Sequence, residues 1–278
     1  ISGGVDFVVN SPARRLFSAV EMSMQAPFVD AATSIDPTNR PNTFISYYTW
    51  GSALGLGLDL TLRSRYHTSL DAYMRAMWRA YGKREIPYDL DDLESTLAEV
   101  TGDATFAHDF FARYVRGREV VDYGALLAHA GFTVRKARPG RPLLGASRIR
   151  YGQAGATLGD PTVRGTSLYA AGLDRGDLIA SLDGRAIRSE AALDSVLDAH
   201  APGDSLTIEY EQRGRRRSGT VVLAQDPSLE IVPYEEAGLE LTAEMRRFRE
   251  AWLGPQRAQP ETGGERGGGT DSAGSARP

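Results

Sequence analysis

The sequence predicts a multidomain α and β fold: a helical unit over residues 1–138, a linker over 139–142, and a strand-rich unit over 143–225. Beyond it lie an extension with one helix over 226–253 and a disordered tail over 254–278. Three observations predict this. From Phe44 to Gly131 apolar residues recur at spacings of three and four, punctuated by capping residues and glycines. After Arg138 the texture changes to short strand-like runs divided by turn dipeptides. From Gly254 the chain is Gly, Pro, Ser, Gln and Arg with almost nothing apolar, too little to repay the entropy of ordering.

The elements follow in order. Residues 1–42 hold short apolar runs broken by Pro12, Pro27, Pro37 and Pro41, and read as irregular with one helix near Ser18 to Met24. A helix over Phe44 to Arg65, capped by Asn42 or Thr43, is apolar almost all round in its middle and so belongs at the centre of a core. Gly51 and Gly55 share one of its faces, which points to close approach of a neighbouring backbone there. Thr68-Ser-Leu-Asp71 resembles a capping box for the next helix, whose stripe is Leu70, Tyr73, Met74, Met77, Trp78 and Tyr81. Asp89, Asp103 and Asp122 cap three more helices, the first closed by Gly102 and the last by Gly131. In the second half, Ser189 to Ala199 reads as a helix. Leu206 to Tyr210 and Thr220 to Leu223 form a hairpin with a solvated tip at Arg213, Arg215, Arg216 and Arg217. A last amphipathic helix follows Thr242.

Composition excludes several functions. The net charge of -4 does not suit a protein held to nucleic acid by phosphate contacts. With no cysteine there is neither a disulfide nor a thiolate metal site. No apolar run reaches the ~18 residues of a membrane span. The four histidines, His67, His108, His129 and His200, are too far apart in sequence for one helix to present two of them to a metal, and no Gly-x-Ser-x-Gly elbow is present. Asp91, Asp92 and Glu94 open a helix, where negative charge favours capping over metal binding. Arg14 and Arg15 read as surface residues, with a substrate carboxylate as the alternative partner. The chain starts at Ile1 rather than Met, without a signal peptide, and is expected to be a fragment or a processed product.

The run Gly165-Thr-Ser-Leu-Tyr-Ala-Ala-Gly-Leu-Asp-Arg-Gly-Asp-Leu-Ile-Ala-Ser-Leu-Asp-Gly184 resembles the signature of PDZ domains. It departs at Ser167, where proline is usual, and at Leu168, where alanine is usual. Both stand at the start of the short helix and put its geometry in question. The resemblance implies that residues 143–225 fold as a PDZ domain, a small β-barrel with two helices, which binds an extended peptide or chain terminus as an added strand. Its carboxylate would meet backbone amides of the loop Leu143-Leu144-Gly145-Ala146. Leu193 and Leu197 on the following helix face either that groove or the core.

Three runs of the first half, Asn10 to Ser23, Ser46-Tyr-Tyr-Thr-Trp-Gly to Arg63, and Ser69-Leu-Asp-Ala-Tyr-Met-Arg75, are similar to the C-terminal part of the glycyl aminopeptidase family of zinc metallopeptidases. That resemblance implies the helical C-terminal half of a thermolysin-like catalytic domain followed by a PDZ domain. It implies zinc as the cofactor of the intact enzyme, with the HExxH helix and a third, glutamate ligand outside this chain, and no zinc bound by the fragment. Tyr48 aligns with the tyrosine of a Tyr-x-Lys-Gly motif that donates a hydrogen bond to the tetrahedral oxyanion. Trp50 stands in the lysine position, and Tyr47 is the alternative donor. From the residues alone both tyrosines read as core aromatics. The implied activity is removal of small N-terminal residues, Gly or Ala, from peptide substrates, with this fragment alone inactive. The competing reading is a peptide-binding scaffold without catalysis.

Overall fold

The computed structural model describes residues 2–29 and 39–254. Pro37 and the tail from 255 lie outside the described residues. The chain opens with α1 (Ser2–Asn10), where irregular backbone was expected. The prolines do not prevent it: the first, Pro12, falls at the first position of a 3₁₀ turn capped by Ser11, where no N–H is needed. Val5 and Val8 bury its inner face. Next comes α2 (Ala19–Ser23), held by a reciprocal capping box between Ser18 and Glu21, then α3 (Ala26–Val29) and α4 (Arg40–Thr43).

The central helix α5 (Tyr47–Arg65) buries Trp50, Ala53, Gly57, Leu58, Leu60, Thr61 and Leu62 in the first hydrophobic core. Its N-cap is Ser46, not Asn42 or Thr43. The close approach is at neither expected glycine. A Cβ at Gly51 would meet nothing within 4 Å, and one at Gly55 only Leu70 Cδ2 at 3.6 Å. It is Gly57 that is pressed, by Val121, whose Cγ2 would stand 2.6 Å from an added Cβ.

Around α5 lie α6 (Leu70–Ala80), capped by Ser69, α7 (Leu90–Thr101), with an Asp89–Asp92 capping box and a left-handed Gly102, α8 (Ala104–Phe110), which widens into a π turn at Phe111–Val115, and α9 (Tyr123–Ala128). Tyr123 Oη donates to Ala53 O at 2.9 Å and ties α9 to α5.

The chain then makes β1 (Phe132–Lys136), crosses to the second unit with β2 (Pro142–Leu143), β3 (Ile149–Gly152) and β4 (Gly155–Leu158), and turns through α10 (Ser167–Ala170). There follow β5 (Leu178–Leu182), β6 (Arg185–Ala186), α11 (Glu190–Leu197), β7 (Ser205–Gln212), β8 (Arg215–Val222) and β9 (Ala224–Gln225). Leu158, Leu168, Ile179, Leu182, Ile208 and Val221 fill a second core. The expected barrel does not close. Among the described residues the strands run in the open order β3-β4-β5-β7-β8, with β6 on β5 and a separate β2–β9 ladder. Among the described residues the outer edge of β3 has no strand partner, and α11 lies across the gap with a cleft between them.

The segment after 225, expected as an extension with one helix, also carries β10 (Leu229–Pro233), paired antiparallel with β1. Helix α12 (Ala243–Leu253) then sets Phe248 and Trp252 against the first core. Arg249 Nε donates to Ala130 O and its Nη2 to Gly131 O, each at 2.7 Å. The chain thus leaves the helical unit, builds the second one, and returns. No helix among the described residues is long and apolar enough to cross a membrane.

A buried amide joins the two units. Asn42 Nδ2 donates to Thr162 O at 2.9 Å, and its Oδ1 accepts from Arg164 N at 2.7 Å. Asn42→Ala would leave Thr162 O and Arg164 N–H without partners in a buried seam, a cost of about 2 kcal/mol. Thermal unfolding should show it as a fall in Tm with earlier proteolytic cleavage between the units. An unchanged Tm would mean that water replaces the amide at no cost.

Candidate functional site

The cleft of the second unit is built from three pieces of backbone. One wall is the free edge of β3. Strand alternation puts Ile149 and Tyr151 toward the cleft and core and Arg150 outward, and Arg148, just before the strand, also lines the cleft. The other wall is α11, whose residues Glu190, Leu193, Asp194 and Leu197 line the cleft at spacings of three and four, one helical face. The closed end is the loop Leu143–Ala146. The space enclosed is about 640 Å³.

The loop is rigidly held. Gly145 has φ +95°, a left-handed value, and a Cβ there would strike the Thr166 side chain. Leu168 N donates to Leu144 O at 3.0 Å. The unusual Ser167 secures this corner: its Oγ donates to Leu143 O at 2.6 Å and accepts from Ala224 N at 2.8 Å. A proline could make neither bond, so the departure from the PDZ signature ties α10 to β2 and β9. The amides of Leu144, Gly145 and Ala146 donate to no acceptor among the described residues. Leu193 and Leu197 do both things the sequence left open: they are buried in the second core and their edges line the cleft.

Charge is ordered along the cleft. At the loop end, Arg141 Nη2 reaches Asp194 Oδ1 at 3.1 Å. Arg138 Nη2 stands 2.7 Å from the buried Asp226 Oδ2, a charge contact without good hydrogen-bond direction. Burial raises the Asp226 carboxyl's pKa, but Ser228 and the two arginines together draw it below the ordinary range. At the other end the Tyr151 phenol is pushed up by burial and by the nearby charges of Glu190 and Asp194. The arrangement offers loop amides and cations at one end, an apolar floor, and an acid at the other.

The second candidate lies on the first turn of α5. Tyr48 is 73% exposed, not a core aromatic, and its ring lies 4.6 Å from that of Tyr47. Tyr47 is half-buried. Trp50 turns the opposite way into the core, with its Nε1 buried and without a hydrogen-bond acceptor among the described residues. Ser46 and Thr49 of the same turn border an apolar hollow walled by Phe7, Pro41 and Phe44, also about 640 Å³.

The remaining candidates have structural partners. Arg14 donates to Arg118 O and Val9 O, so it is committed to backbone, and burial with the neighbouring Arg15 lowers its pKa. Asp92 caps α7, while Asp91 and Glu94 pair with Arg116. His108 meets Glu94, and His200 meets Val196 O and Asp183. Among the described residues no three His, Cys, Asp or Glu side chains converge where they could hold a metal ion.

The fold resembles part of a solved aminopeptidase N family protein from Idiomarina loihiensis, with a TM-score of 0.67 and 22% identity. The match covers 90% of this chain and 44% of that one, so the chain spans less than half of its length. More limited matches include the PDZ domain of an SdrC-like protein from Listeria monocytogenes (15% identity, TM-score 0.22, 38% of this chain and 99% of that one). Another is the HtrA-type protease AlgW with decapeptide (19% identity, TM-score 0.28, 32% of this chain and 30% of that one). No family model matches the chain, and no curated protein matches it. The aminopeptidase-like fold is therefore what the comparison establishes.

Proposed function

We propose that this chain is the C-terminal part of a zinc-dependent aminopeptidase that removes small N-terminal residues, Gly or Ala, from peptides, and that its second unit is a PDZ module binding a peptide or chain terminus. The observation that carries the first half is the position of Tyr48, exposed on the first turn of the central helix where the resemblance places an oxyanion donor. The aminopeptidase-like fold over nine-tenths of the chain supports it, as does the open apolar hollow beside that turn, a surface of the kind that partner segments cover. The metal would be held by residues outside this chain. Tyr48 Oη would donate to the oxygen that gains charge as the peptide carbonyl becomes tetrahedral.

The peptide-binding half rests on the cleft: a free strand edge, unpaired loop amides and an apolar floor are what strand addition with carboxylate capture requires. The same cleft favours the alternative of a scaffold without catalysis. Hydrolysis of glycyl and alanyl chromogenic amides with added zinc separates the two. This chain is expected to be inactive, and the same chain extended upstream is expected to be active. Inactivity of both would leave the scaffold.

A further inference from the structure

Six charged side chains line the cleft, Arg138, Arg141, Arg148, Glu190, Asp194 and Asp226, and their pairing is uneven. Arg138 is taken by Asp226 and Arg141 by Asp194, both at the loop end. Arg148, just before β3, lines the loop end of the cleft and lies 3.9 Å from Asp160, while Arg150 stands on the outward side of β3. Glu190, at the far end, has no cationic partner among the described residues. Glu190 and Tyr151 both line the cleft, one from α11 and the other from β3. The acid in the first turn of α11 thus lines the cleft opposite β3 with no cationic side chain paired to it among the described residues.

A peptide added antiparallel to β3 with its carboxylate at the Leu144–Ala146 amides has its side chains alternate between the two faces. The terminal side chain falls on the helix side, over Leu193 and Leu197. The next on that side belongs to the residue two positions upstream, and it points to Tyr151 and Glu190. We propose that the cleft selects chain ends with an aliphatic last residue and a lysine or arginine two positions before it, and that Glu190 is the residue that reads this cation. This rests on the reading of the cleft as a terminus-binding groove.

The test uses fluorescence anisotropy with the full 278-residue chain and three labelled peptides: Gly-Gly-Ser-Lys-Ala-Val, the same peptide with Glu for Lys, and the Lys peptide with an amidated end. The free-acid Lys peptide should bind about fivefold more tightly than the Glu peptide, a difference of the size exposed ion pairs produce. The difference should shrink as salt rises. Glu190→Gln should remove the preference and Glu190→Lys should invert it, both in an exposed residue whose change leaves the core intact. Equal binding of the Lys and Glu peptides, with the free acid still preferred over the amide, overturns the selection by Glu190 and leaves the groove standing. Binding of none of the three, or equal binding of acid and amide, defeats the groove itself and the inference with it.

Discussion

Gly57→Leu should destabilise the chain by about 3 kcal/mol, the upper part of the range for overpacking a core. Gly57 sits where α5 passes the segment leading into α9, and an added Cβ would already stand 2.6 Å from Val121 Cγ2 and 3.2 Å from Cγ1. Val121 is buried and branched at Cβ, so it has few rotamers into which to retreat. For Gly57→Ala the same clash is offset by the ~1 kcal/mol that alanine gains over glycine within a helix, so the smaller change is expected to be mild. The larger one should lower Tm by roughly 6–12 °C. Adding Val121→Ala, which vacates the contested space, should recover much of the loss, and that recovery separates a packing clash from a general effect of leucine. A Gly57→Leu protein melting within 2 °C of the parent would show that α5 and the Val121 segment separate easily.

Tyr48→Phe, made in the chain extended upstream, should lower kcat by about 100-fold while KM changes little. The reason is chemical. The hydroxyl contributes a hydrogen bond that strengthens only as negative charge gathers on the reacting oxygen, so the ground-state complex hardly feels its loss. The substitution is also structurally mild, since Tyr48 is exposed and its ring contact with Tyr47 survives in phenylalanine. Tyr47→Phe is the control, and it should cost far less. A kcat for Tyr48→Phe within twofold of the parent removes Tyr48 from the chemistry. The full loss appearing at Tyr47 instead would move the role one residue back.

Local signals were read where the physics is local. Asp89, Asp103 and Asp122 accept backbone N–H bonds at the helix starts expected of them, and Gly102 closes α7 in the left-handed conformation. Prolines read as breakers predict irregular backbone over the first residues, whereas Pro12 lies beyond α1, at a position that tolerates it. Asn42 and Thr43 are the local candidates to cap α5, but Ser46 holds that position and the Asn42 amide is spent on Thr162 and Arg164, some 120 residues away. Such a choice between a local and a distant partner depends on what the fold brings near. For the candidate sites, Leu144, Gly145, Leu193 and Leu197 are brought to one cleft. Glu190, Asp194, Tyr151 and Arg141 line it too, and were passed over because single charged residues on a helix face or a strand carry no pattern of their own.

By itself the sequence determined the elements whose stability is written in spacing of three, four or two residues, the caps that start them, and the change of texture near Arg138. These depend on neighbours in the chain, which the sequence states directly. Tertiary structure alone decided that the sheet stays open along β3, that Gly57 rather than Gly51 or Gly55 is the tight contact, and that β10 and α12 return to the first core. It also decided that Tyr48 faces outward while Trp50 faces in. Each of these turns on which surfaces meet, and residues far apart in the chain carry no record of their distance until packing and hydrogen bonding have set it.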